Sequence, residues 1–344
     1  MESNFGDAQH LAFSLFTAVG LERPVAERCA WAISAADVLG RGSHGLLRLP
    51  HYIRRIESGG INPLAELKTI VDTGPAIVLA GDGGLGHFEV FKAAEIASDR
   101  AKTFGVAVAS VNNSSHCGVL GLYTLPMVRN NLIGLAFTNG PAVMPAWGGN
   151  RPVLSTSPIA CGIPTKPDPT VIDLATSTVA RGKIAEAAAK GDPIPDGWAF
   201  DRAGLPTNDP NAALDGMLSP MAGAKGFALA LMVEALTGVM VGPNLSTEVP
   251  DALSLKTVNS IQGVSHLVVA LNPAVFDPSS GSEKRLDNLT QSIISSGGRL
   301  PGTKKPIRDP IPPDAPITVT DSVARELALY ADKYDANLPP YWKS

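Results

Sequence analysis

With 344 residues, 44% of them apolar and 17% charged, the chain has ample material for a buried core and is no disordered segment. A formal charge of −4, with basic residues only in short clusters such as Arg54-Arg55 and Lys304-Lys305, argues against a nucleic-acid partner. Three scattered cysteines, Cys29, Cys117 and Cys161, argue against a disulfide framework or zinc knuckle and point to reduced thiols in the cytoplasm; with an acidic N-terminus and no long apolar run, neither a signal peptide nor a membrane span is expected.

The first 60 residues read as helical. Leu11, Leu15, Phe16 and Val19 recur at helical spacing, then Val25, Cys29 and Ile33 after Pro24, then Leu49, Ile53 and Ile56 up to Gly59-Gly60. From about residue 68 the pattern turns β-rich: TIVDTGPAIVLAGD holds two short strands, and HFEVFKAAEIASDRAKTFG an amphipathic helix. VAVASV, LIGLAFTN, VLSTSPIACGIPT and VIDLATS follow as strand material, with proline and glycine as punctuation. A helix through ARGKIAEAAAKG precedes a long polar loop. KGFALALMVEALTGVMVG is apolar nearly all round and is expected as a buried helix. SHLVVALNP is a late strand, and DSVARELALYADKY a final helix.

Gly81-Asp82-Gly83-Gly84-Leu85-Gly86 matches GxGxxG between a strand and a helix, the order of a dinucleotide-binding turn. The acid that should follow about 20 residues on, to hold a ribose, is missing, so the glycines read as a backbone turn.

Two short stretches carry candidate chemistry: Gly42-Ser43-His44-Gly45 and Ser115-His116-Cys117-Gly118. Histidine is the usual proton donor to a carbonyl becoming an alcohol, although a hydrogen-bonded structural histidine is the favoured reading of either one taken alone, and the pairing of two such loops narrows that preference without reversing it. Arg48 follows His44 by four residues; on a helical turn the two share a face, and a guanidinium fork suits a carboxylate. Pro50 warns that the regular helix starts only near Leu49. Thr176, Ser177 and Thr178 suit a phosphate or ordinary capping at a helix start. Lys225 stands at the start of an apolar helix, where the macrodipole disfavours a cation unless an anion is near; an exposed lysine is the plain alternative. There is no GxSxG elbow, HExxH or P-loop, and no metal is expected.

Together, GSHGLLRLPHYIRRIESGGINP, GDGGLG, SSHCG, FTNGPAVMPAWGGNRPVLSTSPIACGIP, DLATSTVARGKI, PIPDGWAFDRAGLPTNDP and GAKGFALALMVEAL resemble the type-2 malate/L-lactate dehydrogenase family, in order across about residues 40–265. Its relatives include sulfolactate and ureidoglycolate dehydrogenases, diketogulonate reductase and piperideine-2-carboxylate reductase. The resemblance implies a mixed α+β fold that is not Rossmann, with the cofactor on a mainly antiparallel sheet beside an N-terminal helical unit. It further implies a homodimer with the active site near the subunit contact. The division expected is 1–67 as the helical domain, 68–122 with 300–344 as the core and dimerisation domain, and 123–299 as the cofactor-binding domain.

The activity implied is hydride transfer between NAD or NADP and a small 2-hydroxy or 2-oxo acid of malate, lactate or sulfolactate type. By motif, His44 or His116 is the proton donor and Arg48 the carboxylate anchor; the preferred assignment makes His116 the acid/base, with Ser43 and His44 orienting the substrate. Cofactor contacts are expected from Asp173, Leu174, Ala175, Thr176, Ser177, Lys225 and Gly226, and from the turn Pro301, Gly302, Thr303, Lys304. Two departures stand out: Gly140 replaces a serine common in FTNSPA, and HCG replaces HFG, which is closer to the sulfolactate branch. The rival readings are a cyclic-imine reductase of the same family and a cofactor-binding protein without catalysis.

Overall fold

The computed structural model describes residues 1–252, 254–277, 279–339 and 342. Helix α1 (Phe5–Ala18) starts where the Asn4 side chain accepts the Asp7 N–H at 2.8 Å, and it buries Leu11, Ala12, Leu15 and Phe16 along one stripe. Helix α2 (Arg23–Val38) places Pro24 in its first turn, where the missing N–H costs nothing. Helix α3 (Leu49–Glu57) begins only at Leu49, again with proline in the first turn. Residues before it form two short 3-10 turns, Gly42–His44 and Leu46–Arg48, so His44 and Arg48 do not share an α-helical face as the spacing suggested.

These helices close over Leu11, Leu15, Phe16, Ile33, Leu46, Leu49 and Ile53, joined by Leu327 of the Asp321–Lys333 helix. Each such side chain contributes roughly 1.5–3 kcal/mol by leaving water.

The central element is a seven-stranded sheet. Its strands are β1 (Lys68–Asp72), β2 (Ala76–Ala80), β3 (Val106–Ser114), β4 (Ile133–Thr138), β5 (Ile159–Ile163), β6 (Thr170–Leu174) and β7 (Val264–Leu271), in the order β1-β2-β3-β7-β4-β5-β6. β2 and β3 run parallel, linked by helix α4 (Gly86–Phe104) as the crossover; the other neighbours are antiparallel. The mixed, mainly antiparallel sheet expected from the resemblance is thus present. Ala107, Ala109 and Ala270 on the strands are small enough to let Val90, Phe91, Ala94 and Ala97 of α4 settle against the sheet.

Strands from both sides of residue 122 belong to this one sheet, because β7 inserts between β3 and β4. The C-terminal helix packs with the N-terminal helices, and Glu2–Asn4 pairs with Pro316–Thr318. The grouping follows apolar faces rather than chain order.

The GDGGLG turn lies between β2 and α4, and all its residues but Asp82 are buried. A Cβ on Gly84 would lie 2.4 Å from a Glu89 oxygen, and one on Gly86 2.2 Å from the Ser115 carbonyl. Glycine is needed there for close approach of protein to protein.

The apolar segment after Gly223 forms a helix (Ala224–Glu234) that continues as a π-turn through Val239. It is not wholly buried as expected: Leu231 is 51% and Val239 68% exposed, with Met232 and Met240 beside them. One face packs inward through Ala230 and Val233, while the other has no cover among the described residues. No helix among the described residues is long and apolar enough to cross a membrane.

Candidate active site

The two histidine turns meet in one cleft of about 310 Å³, lined by Ser43, His44 and Arg48 on one side and His116 on another. The imidazoles of His44 and His116 stack with centroids 5.6 Å apart and planes 23° from parallel. Sequence neighbours placed neither together; the meeting arises because the end of β3 faces the loop before α3.

The His44 turn rests on Asp37, near the end of α2. The Asp37 carboxylate accepts the Leu46 N–H at 2.8 Å, and Gly45 lies so close that a Cβ would sit 2.2 Å from Asp37 Oδ1. Burial pushes the Asp37 carboxyl up to about 7, against the pull of the Leu46 N–H. Ser43 Oγ is 2.9 Å from His44 Nδ1, and Arg48 Nε donates to the Ser43 carbonyl at 2.8 Å. That bond leaves the outer nitrogens of the Arg48 guanidinium without a carboxylate among the described residues.

The His116 turn is held from the sheet. His266, fully buried on β7, lies 3.1 Å from Ser114 Oγ and 3.2 Å from the Ser115 carbonyl through Nε2. The Ser114 hydroxyl donates to Glu89, whose carboxyl burial pushes up to about 8. His116 Nδ1 then receives the Gly118 N–H at 3.3 Å and lies 2.6 Å from the Tyr52 hydroxyl. Because a backbone N–H can only donate, Nδ1 is an acceptor and the ring proton resides on Nε2. The His116 N–H donates to Gln262 Oε1 at 3.2 Å. Gly118 has φ +70°, and a Cβ on it would meet His87 Nε2 at 2.8 Å, so no other residue closes this turn without displacement.

Both imidazoles are held neutral. Burial, with Arg48 and Arg41 nearby, lowers His44 to about 4. Burial first, then His44 and Arg48, lowers His116 well below the ordinary histidine range. An anion bound at Arg48 removes part of this repulsion and raises the proton affinity of either ring.

The expected cofactor residues divide. Asp173, Leu174 and Ala175, at the end of β6, line the same cleft. Asp173 Oδ2 is engaged by Arg41 Nη1 at 2.8 Å and the Gly121 N–H at 3.1 Å; burial raises its pKa, partly offset by Arg41. Gly302, Thr303 and Lys304 line a neighbouring cavity of about 510 Å³ that shares Arg41 with the first. Thr176, Ser177, Lys225 and Gly226 line neither cavity. The Thr176 and Ser177 hydroxyls are spent on the Thr156 and Val179 carbonyls, and Gly226 makes room for the Met221 backbone. Lys225 is exposed at its helix start.

Sequence reasoning missed Tyr52, Arg41, Asp37 and Gln262. Only Tyr52 had a signal, as the third member of the run His44, Arg48, Tyr52 at intervals of four. Among the described residues no group of three His, Cys, Asp or Glu side chains is placed to hold a metal ion.

The shape and chemistry of the two cavities fit a dinucleotide. Val119, Leu120, Pro141, Val143 and Pro158 give the first an apolar wall suited to a flat ring, and the second ends in cations suited to phosphate.

Comparison with known proteins agrees with this architecture. The malate/L-lactate dehydrogenase family profile matches residues 4–310. A (2R)-3-sulfolactate dehydrogenase (NADP(+)) of Chromohalobacter salexigens is 38% identical over 87% of this chain and 89% of its own length. A malate/(S)-sulfolactate dehydrogenase of Methanothermus fervidus is 34% identical over 85% of each chain. The solved sulfolactate dehydrogenase of Methanocaldococcus jannaschii superposes with a TM-score of 0.89 over 98% of both chains at 29% identity. With the antiparallel sheet, the paired histidine turns and matches along most of its length, the chain belongs to the malate/L-lactate dehydrogenase family and is a nicotinamide-dependent oxidoreductase of hydroxy acids.

Proposed function

We propose that the protein interconverts a small 2-hydroxy acid of malate or sulfolactate type and its 2-oxo acid, with Arg48 anchoring the carboxylate and His116 moving the proton. The observation that carries this reading is the convergence in one cleft of a guanidinium that meets no carboxylate among the described residues with two neutral imidazoles, one oriented by a tyrosine. Asp173 to Ala175, with Gly302 to Lys304, hold the cofactor, which when bound supplies or accepts the hydride at the 2-carbon.

In the reduction direction, Arg48 turns the carboxylate so that the carbonyl oxygen faces the imidazoles. The substrate carboxylate offsets the Arg48 charge and so raises the proton affinity of His116. His116 Nε2, which no described protein group engages, then passes a proton to the developing alkoxide. Tyr52 and the Gly118 N–H hold the ring plane, and Ser43 with His44 orients the substrate.

The uncovered apolar face of Leu231, Met232, Val239 and Met240 supports a homodimer. Three free cysteines, two of them buried, are in keeping with a reducing compartment such as the cytoplasm.

The test is a panel of malate, sulfolactate, lactate, ureidoglycolate and cyclic imino acids with both oxidised cofactors, followed by near-ultraviolet absorbance. Turnover of a 2-hydroxy acid that is lost in Arg48→Ala supports the reading. Turnover of cyclic imines alone would replace it with the imine reductase, and binding without turnover with a non-catalytic protein. Light scattering on the purified chain tests the dimer: a monomer at micromolar concentration overturns it.

A further inference from the structure

We propose that the cavity beside the catalytic cleft is a subsite for the 2′-phosphate of NADP, formed by Arg299, Lys304 and Lys305, and that the enzyme therefore prefers NADP to NAD. The inference rests on the reading of the joined cavities as the dinucleotide site and adds the phosphate class of that dinucleotide.

Four cationic side chains, Arg41, Arg299, Lys304 and Lys305, line this cavity of about 510 Å³, and no acidic one does so among the described residues. Arg41 is offset by Asp173 at 2.8 Å. Arg299, Lys304 and Lys305 have no carboxylate within 4.0 Å among the described residues, although most cations along the chain do. Three uncompensated positive charges around one concavity repel one another, and an anion relieves that repulsion.

The turn carrying these residues closes on itself through Thr303 Oγ1 to the Leu300 carbonyl at 2.8 Å and the Lys305 N–H to the Gly302 carbonyl at 3.1 Å. Gly302 lets it approach β6, since a Cβ there would lie 3.2 Å from the Val171 carbonyl. Lys305 lies back over the end of α2, with Nζ 2.8 Å from where a Cβ of Gly40 would be. Arg299, Lys304 and Lys305, all solvent-accessible, thus share the lining of one cavity with Arg41.

Chemistry distinguishes the two dinucleotides here. A ribose carrying a free 2′-hydroxyl is recognised by a carboxylate that accepts from it, and this cavity has none. A 2′-phosphate monoester carries about −1.5 to −2 charges with three acceptor oxygens, and it matches a guanidinium fork flanked by two ammonium groups.

The experiment is binary calorimetry, without substrate, of the wild-type protein with NADP, NAD, 2′-phospho-AMP carrying a 5′-phosphate (2′,5′-ADP), and 5′-ADP. NADP is expected to bind about 10–100-fold more tightly than NAD, as loss of a charge-assisted contact would predict, and 2′,5′-ADP more tightly than 5′-ADP. Arg299→Ala and Lys305→Ala should each lower the NADP to NAD affinity ratio about 10-fold, and raising salt should lower it further. Equal affinity for the two dinucleotides, or substitutions that weaken both alike, would assign the cations to the shared pyrophosphate and overturn the proposal. If neither dinucleotide binds, it is the underlying cofactor reading that fails.

Discussion

The two histidine turns are near copies in sequence, Gly-Ser-His-Gly and Ser-His-Cys-Gly, yet they are built differently. The first is a pair of 3-10 turns seated on one buried carboxyl, Asp37, and its imidazole leans on its own neighbour Ser43. The second is the end of a central strand, tied by His266 and Ser114 to a second buried carboxyl, Glu89, and its imidazole is held by Tyr52 from another helix. A ring fixed by a remote hydroxyl and a backbone N–H keeps one tautomer and one plane. A ring fixed by an adjacent serine can turn with its loop. The difference favours His116 for proton transfer and His44 for contact with the substrate.

The sharpest break of that contrast is a pair of substitutions. His116→Asn should lower kcat about 10²–10⁴-fold, whereas His44→Asn should act mainly on KM; the reverse ranking in steady-state kinetics would exchange their roles. Next, Arg48→Lys keeps the charge but loses the fork, so KM for the acid should rise about 10–100-fold with a smaller change in kcat. A kcat loss with unchanged KM would remove Arg48 from carboxylate binding.

Tyr52→Phe removes one hydrogen bond to His116, so kcat per folded molecule should fall about 5-fold while KM stays within a factor of two. If the only change is a lower folded fraction by circular dichroism, Tyr52 is structural. The pH profile sharpens the same point: since burial and Arg48 hold His116 well below the ordinary range, kcat/KM for hydroxy-acid oxidation should not fall as pH drops through 6.5. An acid limb centred there would mean an unperturbed base.

The smallest effect separates the two turns by stability. Burial lifts Asp37 to about 7, above its value in the unfolded chain, so its contribution is fully present below about pH 4 and is lost as pH rises through 7. Asp37→Asn keeps an acceptor for the Leu46 N–H without the charge. Its urea midpoint should therefore decline less between pH 4.5 and 8 than that of the wild type. A parallel decline would show that Asp37 ionises freely.

Much of this protein was legible without coordinates. Stripes such as Leu11, Leu15 and Phe16, the prolines at first turns, and the alternation of strand segments follow from local sterics and periodicity, which act within a few residues. Both histidine turns and Arg48 were singled out there too, and the glycines of GDGGLG, read as a backbone turn, do form a close-packed one. What tertiary structure alone decided was juxtaposition: His44 against His116, Tyr52 on Nδ1, Arg41 on Asp173, and cations 299–305 beside residue 41. Those contacts join segments 64 or more residues apart, and they depend on β7 entering the middle of the sheet and on small residues setting the distance of α4. Burial was decided there too: a helix apolar nearly all round packs one face through Ala230 and Val233 and leaves Leu231 and Val239 exposed among the described residues, because tertiary neighbours, not composition, decide which face is covered.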